Sequence, residues 1–131
     1  MLRIGKNLQE IAMIQIKRAY DEVTPEDGKR VLVDRLWPRG KSKEHLQLTE
    51  WVKEVAPSNE LRKWFHQDRS KWAEFKQRYF QELQSHREDW KPLLQMARDE
   101  TLTLIYSARD REQNNAIALK EFLESRLEQD S

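Results

Sequence analysis

The chain has 131 residues and no cysteine, which is enough length for one domain with a sizeable core. The lack of cysteine excludes disulfides, thiolate catalysis and zinc–thiolate sites, and it predicts a cytoplasmic protein. Charged residues make up 36%, but 24 Lys and Arg nearly cancel 23 Asp and Glu, so overall charge predicts no general attraction to nucleic acid or membranes. With no apolar run near the ~18 residues of a membrane span and no signal-peptide pattern, we expect no membrane partner.

The N-terminal part predicts one strand. Residues 1–11 have no clean periodicity and are interpreted as a loosely ordered extension or a short helix of a single domain that spans 1–131. Residues 12–16 form a short apolar run that closes on Lys17 and Arg18, as a buried strand does. The Pro25 and Asp27-Gly28 signals that follow predict a loop.

A second strand is predicted at residues 30–36. Its centre, Val31-Leu-Val33, has no polar alternation, which indicates burial on both faces, as in a parallel sheet. Pro38 cannot continue a strand ladder, so the strand must end before it.

Two helices are predicted next. Residues 44–55 place Leu48, Trp51, Val52 and Val55 at the i, i+3, i+4, i+7 spacing of one amphipathic helix, which ends before Pro57. Ser58 is the predicted N-cap of a short helix that carries the apolar residues Leu61, Trp64 and Phe65.

The C-terminal half predicts more helix and one more strand. An apolar seam runs from Ser70 towards Trp90, and Pro92 either kinks this helix or opens a new turn. Residues 101–106 alternate in a β-rich pattern, and the capping-box spacing of Asp110 and Gln113 predicts a final helix. The chain is therefore predicted to be a helix-rich α/β domain with a small, mainly parallel sheet covered by helices.

Polar residues follow each of the three predicted strands. They are Lys17 and Arg18, then Asp34 and Arg35, then the segment 107–110. The carboxyl ends of parallel strands meet at one edge of a sheet, where open α/β sheets bind their ligands. We therefore expect the functional site at this edge.

The segment 29–43 is locally basic. It carries six cations against one acid, a net charge of +5. A solvated surface run is one interpretation; the interruption by Leu36, Trp37, Pro38 and Gly40 favours a loop held in shape instead. Guanidinium groups bind phosphate or carboxylate in a bidentate way. Trp37 either offers a flat face to a ligand ring or folds over the core. The predicted anion-binding residues are Arg35, Arg39 and Lys43, with Lys17, Arg18, Arg62 and Trp37 in support.

Two carboxylates are candidate catalytic residues. Asp34 and Asp110 each follow a predicted strand, and a shared crevice would let them divide acid and base roles or hold a magnesium ion. The alternatives are a helix N-cap for Asp110 and an ion-pair partner for Asp34 that orients Arg35 or Lys17. The three histidines lack metal-binding spacing, so no metal site is predicted; His66 is expected either to cap a helix or to touch the ligand.

The leading hypothesis is binding of an anionic ligand, either nucleotide-like or a nucleic acid, at the carboxyl edge of the sheet. An enzyme for a small phosphorylated or carboxylated metabolite and a partner-binding module are the alternatives. No glycine-rich phosphate loop, nucleophile elbow or metalloprotease helix is present, so the sequence identifies neither a reaction nor a cofactor.

Four motifs resemble one bacterial family. They are 31–43 (VLVDRLWPRGKSK), 56–58 (APS), 61–65 (LRKWF) and 106–110 (YSARD), and together they are similar to the YeaO-like branch of the domain-of-unknown-function family 488 over about residues 12–127. The resemblance implies a small cytoplasmic α/β protein with a Rossmann-like sheet and no assigned activity. The resemblance also implies two departures: longer relatives tend to carry a Cys-His pair where this chain has Asn114 and Asn115, and the family pattern tends to read Phe-Gly-His-Asp-Pro where it has 65–69 (FHQDR).

Overall fold

The structure is a computed structural model that describes residues 13–130. The N-terminal extension predicted for 1–11 lies outside this range. Within the range are four strands and five α-helices: β1 (Ile14–Arg18), β2 (Lys29–Leu32), α1 (Lys43–Leu46), β3 (Glu50–Trp51), α2 (Asn59–Gln67), α3 (Trp72–Gln84), α4 (Arg87–Asp99), β4 (Leu102–Tyr106) and α5 (Asn115–Asp130). Short 3₁₀ turns occupy Pro25–Asp27 and Lys53–Val55.

The strands form one parallel sheet in the order β1-β4-β2-β3. β4 lies in the centre, with Leu104 beside Ile16 of β1 on one side and Val31 of β2 on the other. The predicted α/β fold with a parallel sheet and a majority of helix is therefore confirmed. The three predicted strands are present, with ends shifted by at most four residues.

The main core lies on one face of the sheet. Val31, Val33 and Leu104 from the strands are fully buried there against α2, α3, α4 and α5. Alternate strand residues point to the opposite face, where Leu32 and Ile105 are also fully buried, under α1 and the loop that carries Trp37. Burial of the Val31-Leu-Val33 run on both faces follows the prediction.

The single helix predicted for residues 44–55 is wrong. α1 ends after Leu46, because Gln47 takes a left-handed conformation with φ of 45°. Glu50 and Trp51 then form β3 beside Val31 and Leu32 of β2. The pairing of this segment with the free edge of β2 outweighs its helical spacing. Leu48 and Trp51 pack on the second face of the sheet.

The seam from Ser70 to Trp90 is also not one helix. α3 ends at Gln84, and α4 begins at Arg87, so Pro92 lies inside α4. The indole Nε1 of Trp90 donates to the carbonyl of Leu83 at 2.7 Å, which joins the two helices across the break. The Ser58 N-cap of α2 is confirmed, since its Oγ accepts from the Leu61 N–H at 3.1 Å.

Candidate functional site

A cleft of about 480 Å³ opens where the strands end. Three segments that follow β1, β2 and β4 meet there, and α2, α3 and the start of α5 complete the walls. The lining residues are Tyr20, Asp34, Arg35, Leu36, Trp37, Pro38, Arg39, Ala56, Pro57, Arg62, Phe65, His66, Arg69, Phe75, Ser107, Ala108, Arg109, Gln113, Asn114 and Asn115. The predicted convergence of strand ends at one edge is therefore present in the structure.

Five of the predicted site residues line this cleft: Asp34, Arg35, Trp37, Arg39 and Arg62. The fold brings these side chains together, because Arg62 lies on α2 while the other four lie in the loop that follows β2. His66 lines the cleft too, one residue before the end of α2. Which of these side chains bind a ligand stays a prediction.

Lys17, Arg18 and Lys43 do not line the cleft. Lys17 lies on the second face of the sheet, where its Nζ pairs with Asp27 Oδ1 at 2.7 Å. Arg18 donates to the carbonyls of Ala108 and Ser107, at 2.8 and 3.1 Å, and so positions the loop after β4. Lys43 is exposed on α1. The structure thus gives Lys17 and Arg18 structural partners.

Three arginines of the cleft are little restrained. Among residues 13–130, the guanidinium groups of Arg39 and Arg109 make no hydrogen bond, ion pair or ring contact, and both residues are exposed. Arg62 has a single long hydrogen bond, 3.4 Å to Asn59 Oδ1. These three donors can turn towards a ligand without breaking a strong contact.

Arg35 is held differently. Its Nη2 donates weakly to the carbonyls of Ala56 and Pro57, at 3.3 and 3.5 Å. Its Nε is buried and has no acceptor among the described residues. Arg35 also lines a second cavity of about 360 Å³ whose other walls include Glu54 and Glu82, so it separates the cleft from a more acidic region.

Trp37 is part of the wall and is fixed there. Its Nε1 donates to the Lys41 carbonyl at 2.6 Å, and its ring meets Trp51 edge-on with centroids 5.4 Å apart. The interpretation that Trp37 folds over the core is therefore the one the structure shows, while part of the ring still faces the cleft. Gly40, at φ of 78°, closes the turn that carries it.

Asp34 lies at the floor of the cleft. Its Oδ2 accepts the backbone N–H of Ser107 at 2.9 Å, which links the ends of β2 and β4. Burial raises the pKa of Asp34, while the Ser107 N–H, the nearby Asn115 and Ser107 side chains and the charge of Arg62 act in the opposite direction. Ser107 Oγ approaches the carboxylate without a well-oriented hydrogen bond. Asp34 forms no salt bridge with a described residue, so the predicted ion pair with Arg35 or Lys17 is wrong.

Asp110 holds the turn before α5 and has partners of its own. It accepts the N–H groups of Glu112 and Gln113 and pairs with Arg69 Nη2 at 3.0 Å. Hydrogen bonds from Gln113, Glu112 and Arg69 hold the pKa of Asp110 below its usual value. Asp110 does not line the cleft, so the two carboxylates do not share a crevice. It fixes the turn before α5, but it is not the N-cap that was predicted.

Asn114 is the N-cap of α5. Its Oδ1 accepts from the Ile117 N–H at 2.9 Å, and its Nδ2 donates to the Asp110 carbonyl at 2.9 Å. Asn115 Nδ2 donates to the Val33 carbonyl at 3.0 Å. Neither amide can act as a nucleophile or a general base, and both have structural contacts.

Sequence reasoning missed Arg69, which lines the cleft and donates to Gln113 O at 2.9 Å as well as to Asp110. It follows α2 in a stretch without pattern, so only the three-dimensional contact reveals it. The capping-box spacing of Asp110 and Gln113 was the only sequence signal at the residues that Arg69 contacts.

Other surface features offer less. A broad depression of about 1200 Å³ is lined solely by residues 73–85, lies open along α3 and brings no distant segments together. Within 13–130, no group of three or more His, Asp or Glu side chains is placed to hold a metal ion. None of the helices in this range has both the length and the apolar character that crossing a membrane requires.

Comparisons with known proteins identify relatives. The family model described as "Inactive DUF488-N3 subclade" matches residues 13–131. The protein called "Uncharacterized protein YeaO" of Escherichia coli K12 is 48% identical over 112 residues, which cover 86% of this chain and 97% of that protein. "Uncharacterized protein Rv3073c" of Mycobacterium tuberculosis H37Rv is 46% identical over 70 residues, 53% of this chain and 59% of that protein. No solved structure matches the chain. The family match over nearly the whole chain and the similarity to YeaO show that this protein belongs to the DUF488 family.

Proposed function

We propose that this protein binds a small anionic ligand, of nucleotide size, in the cleft at the carboxyl edge of its sheet and does not chemically transform it. The observation that carries the proposal is the charge of the lining: five arginines face one carboxylate, Asp34. The volume of the cleft, about 480 Å³, lies within the range of small-molecule sites.

The state of the arginines supports anion binding. Arg69 is paired with Asp110, but the other four arginines have no ion-pair partner among the described residues. Their like charges repel one another, and an anion relieves this repulsion. Arg39, Arg62 and Arg109 have donors to spare, and the buried Nε of Arg35 has no acceptor among the described residues. This Nε is enclosed by the protein, so the donors open to a ligand are those of Arg39, Arg62 and Arg109.

The walls between the arginines are apolar. Leu36 is 66% exposed and Tyr20 is 40% exposed beside the cleft, and Pro57 and Phe65 line it deeper in. An anion alone would leave these groups uncovered, whereas a ligand with an apolar or aromatic part would cover them. This supports a nucleotide-like ligand over a bare ion.

A binding role is favoured over catalysis. The family description of the subclade as inactive agrees with the structural use of Asn114 and Asn115, where the resemblance to longer relatives implies Cys and His. Asp34 and Asp110, the catalytic candidates, do not face each other across the cleft. The pair of carboxylates that the enzyme hypothesis named is therefore not assembled in this cleft.

Calorimetric titration tests the proposal, with AMP as the nucleotide probe and sulfate as the simple anion. Arg39→Ala and Arg62→Ala are each expected to weaken AMP binding by roughly tenfold or more, as for loss of a charged hydrogen bond. Arg87→Ala is the matched control, because this exposed arginine lies on α4 and does not line the cleft. Equal AMP affinity in all three variants, or no binding of either probe to the wild-type protein, would contradict the proposal.

A short single-stranded oligonucleotide distinguishes the nucleic-acid ligand. Contacts to several phosphates lose orders of magnitude in affinity between about 50 and 200 mM salt, whereas one anion in a cleft loses far less. A weak salt dependence, shared by AMP and the oligonucleotide, is expected for a cleft that holds a single anion.

A further inference from the structure

Asp34 is an unexpected group for an anion-binding cleft. It is the one carboxylate among the described lining residues, and it lies at the floor with its Oδ2 held by the Ser107 N–H at 2.9 Å. Arg62 lines the same cleft, and its charge acts to lower the pKa of Asp34 against the effect of burial. A carboxylate beside an anion site repels the ligand unless the ligand also carries a hydrogen-bond donor for that carboxylate.

The contacts of Asp34 leave room for a ligand. Its Oδ2 accepts one strong hydrogen bond, and no ion pair with a described residue neutralises the group. An ionised carboxylate has about four acceptor positions, so at least one stays available to a donor from the cleft. A hydroxyl group is such a donor, and its bond to a charged acceptor is stronger than one between neutral groups.

Resting on the proposed function, we infer that Asp34 is a specificity residue and that the ligand is a phosphate ester carrying hydroxyl groups, with the arginines on the phosphate and Asp34 on a hydroxyl. Asp34 and the arginines line one cleft of about 480 Å³, so the phosphate and the hydroxyl belong to one small molecule, as in ribose 5-phosphate. Both a nucleotide and a free sugar phosphate present this chemistry. An anion that has no hydrogen-bond donor, such as sulfate, is repelled by Asp34 instead.

The test is a comparison of ligands on the wild-type protein and on Asp34→Asn. Asn keeps the shape and can still accept the Ser107 N–H, but it lacks the charge. For Asp34→Asn we expect sulfate to bind more tightly and AMP to bind about fivefold to tenfold more weakly, because the charged acceptor is gone. Asp99→Asn, an exposed acid on α4, is the matched control for the change in net charge.

A second measurement does not depend on the variant's folding. Wild-type protein is titrated with AMP and with 2′,3′-dideoxy-AMP, which differ only in the ribose hydroxyls. Weaker binding of the dideoxy compound, by about tenfold, supports the inference. Equal affinities overturn it, as does a uniform gain for sulfate and AMP in Asp34→Asn.

Ribose 5-phosphate separates the two ligand sources. Affinity equal to that of AMP indicates a sugar phosphate, and much weaker affinity indicates a nucleotide whose base adds contacts to Leu36 and Tyr20. The proposed function fails separately, if none of these anions binds to the wild-type protein. The specificity inference fails when they bind without regard to hydroxyl groups.

Discussion

Arg69 Nη2 lies 3.0 Å from Asp110 Oδ2, and this ion pair joins the end of α2 to the turn before α5, two segments that are 41 residues apart in the chain. The same Nη2 donates to the Gln113 carbonyl. Because both segments line or border the cleft, the pair fixes the distance between two of its walls.

Arg69→Ala should loosen the turn 110–114 more than it lowers overall stability. Both side chains are 39% exposed, and solvent weakens such ion pairs. We expect faster amide hydrogen exchange at Glu112 and Gln113, with a melting temperature that falls only slightly. Arg78→Ala, which breaks an exposed pair with Glu74 on α3, serves as the control and should leave exchange at these two amides nearly unchanged. Equal exchange rates at these amides in wild type and Arg69→Ala would contradict this role.

Asp27 should make stability dependent on pH in the acid range. Burial alone would raise the pKa of Asp27, but hydrogen bonds from Lys17, Thr24 and Arg30 outweigh it and lower the pKa from 3.8 to about 2. The folded-state value is the lower one, so this stabilisation is present above about pH 4 and is lost as the pH falls towards 2, with a total of about 2 kcal/mol.

Urea unfolding of the wild type and of Asp27→Asn between pH 2 and 7 measures this effect. At neutral pH the variant should lose about 3–5 kcal/mol, because Arg30, 3% exposed, keeps its charge without a charged partner. The difference between the two proteins should shrink as the pH falls. A difference independent of pH would show that Asp27 has an ordinary pKa in the folded protein.

Gly28→Ala should destabilise the fold strongly. A Cβ at this position would lie 2.2 Å from the carbonyl oxygen of Thr101, which is backbone and cannot give way, and φ is +62°. Both the clash and the strain predict a loss of about 3 kcal/mol or more in the free energy of unfolding. Gly40→Ala is the matched control: its φ is +78°, but its Cβ would meet no atom within 4 Å. It should lose only about 1 kcal/mol, from the left-handed conformation alone. Equal losses in the two variants would show that the contact with Thr101 is unimportant.

Asn114→Ala should cost about 1 kcal/mol, the usual effect of losing an N-cap. Its side chain also holds the Asp110 carbonyl, so the turn before α5 loses two contacts at once. Asn114→Asp keeps the acceptor for Ile117 N–H and loses only the donor, and it should retain much of the stability. Chemical denaturation of the two variants compares them directly. If Asn114→Asp is no more stable than Asn114→Ala, the capping role of Asn114 is wrong.

Local sequence patterns predicted the elements that depend on local chemistry. The apolar runs of β1, β2 and β4 and the Ser58 cap of α2 are such signals, and the structure contains all of them. The helix predicted for 44–55 is wrong because apolar residues of this segment lie in β3 and on the second face of the sheet. Helical spacing in the sequence does not show that a sheet edge lies beside them. Tertiary pairing overrides propensity there.

The site was predictable where its residues follow a strand. Asp34, Arg35, Trp37 and Arg39 line the cleft because the chain leaves β2 at the carboxyl edge. The same rule pointed to Lys17 and Arg18, but these side chains have internal partners that only the fold reveals. A strand end locates a segment, whereas the direction of each side chain depends on neighbours far away in sequence.

The central position of β4 has a consequence for how the chain is made. β1 and β2 do not pair with each other; each pairs with β4, which comes last of the four strands. While the chain leaves the ribosome, its first hundred residues therefore lack the strand that joins the two halves of the sheet. Such long-range pairing slows folding and leaves strand edges uncovered for longer. The cleft, which β4 helps to build, can form only after β4 has been synthesised.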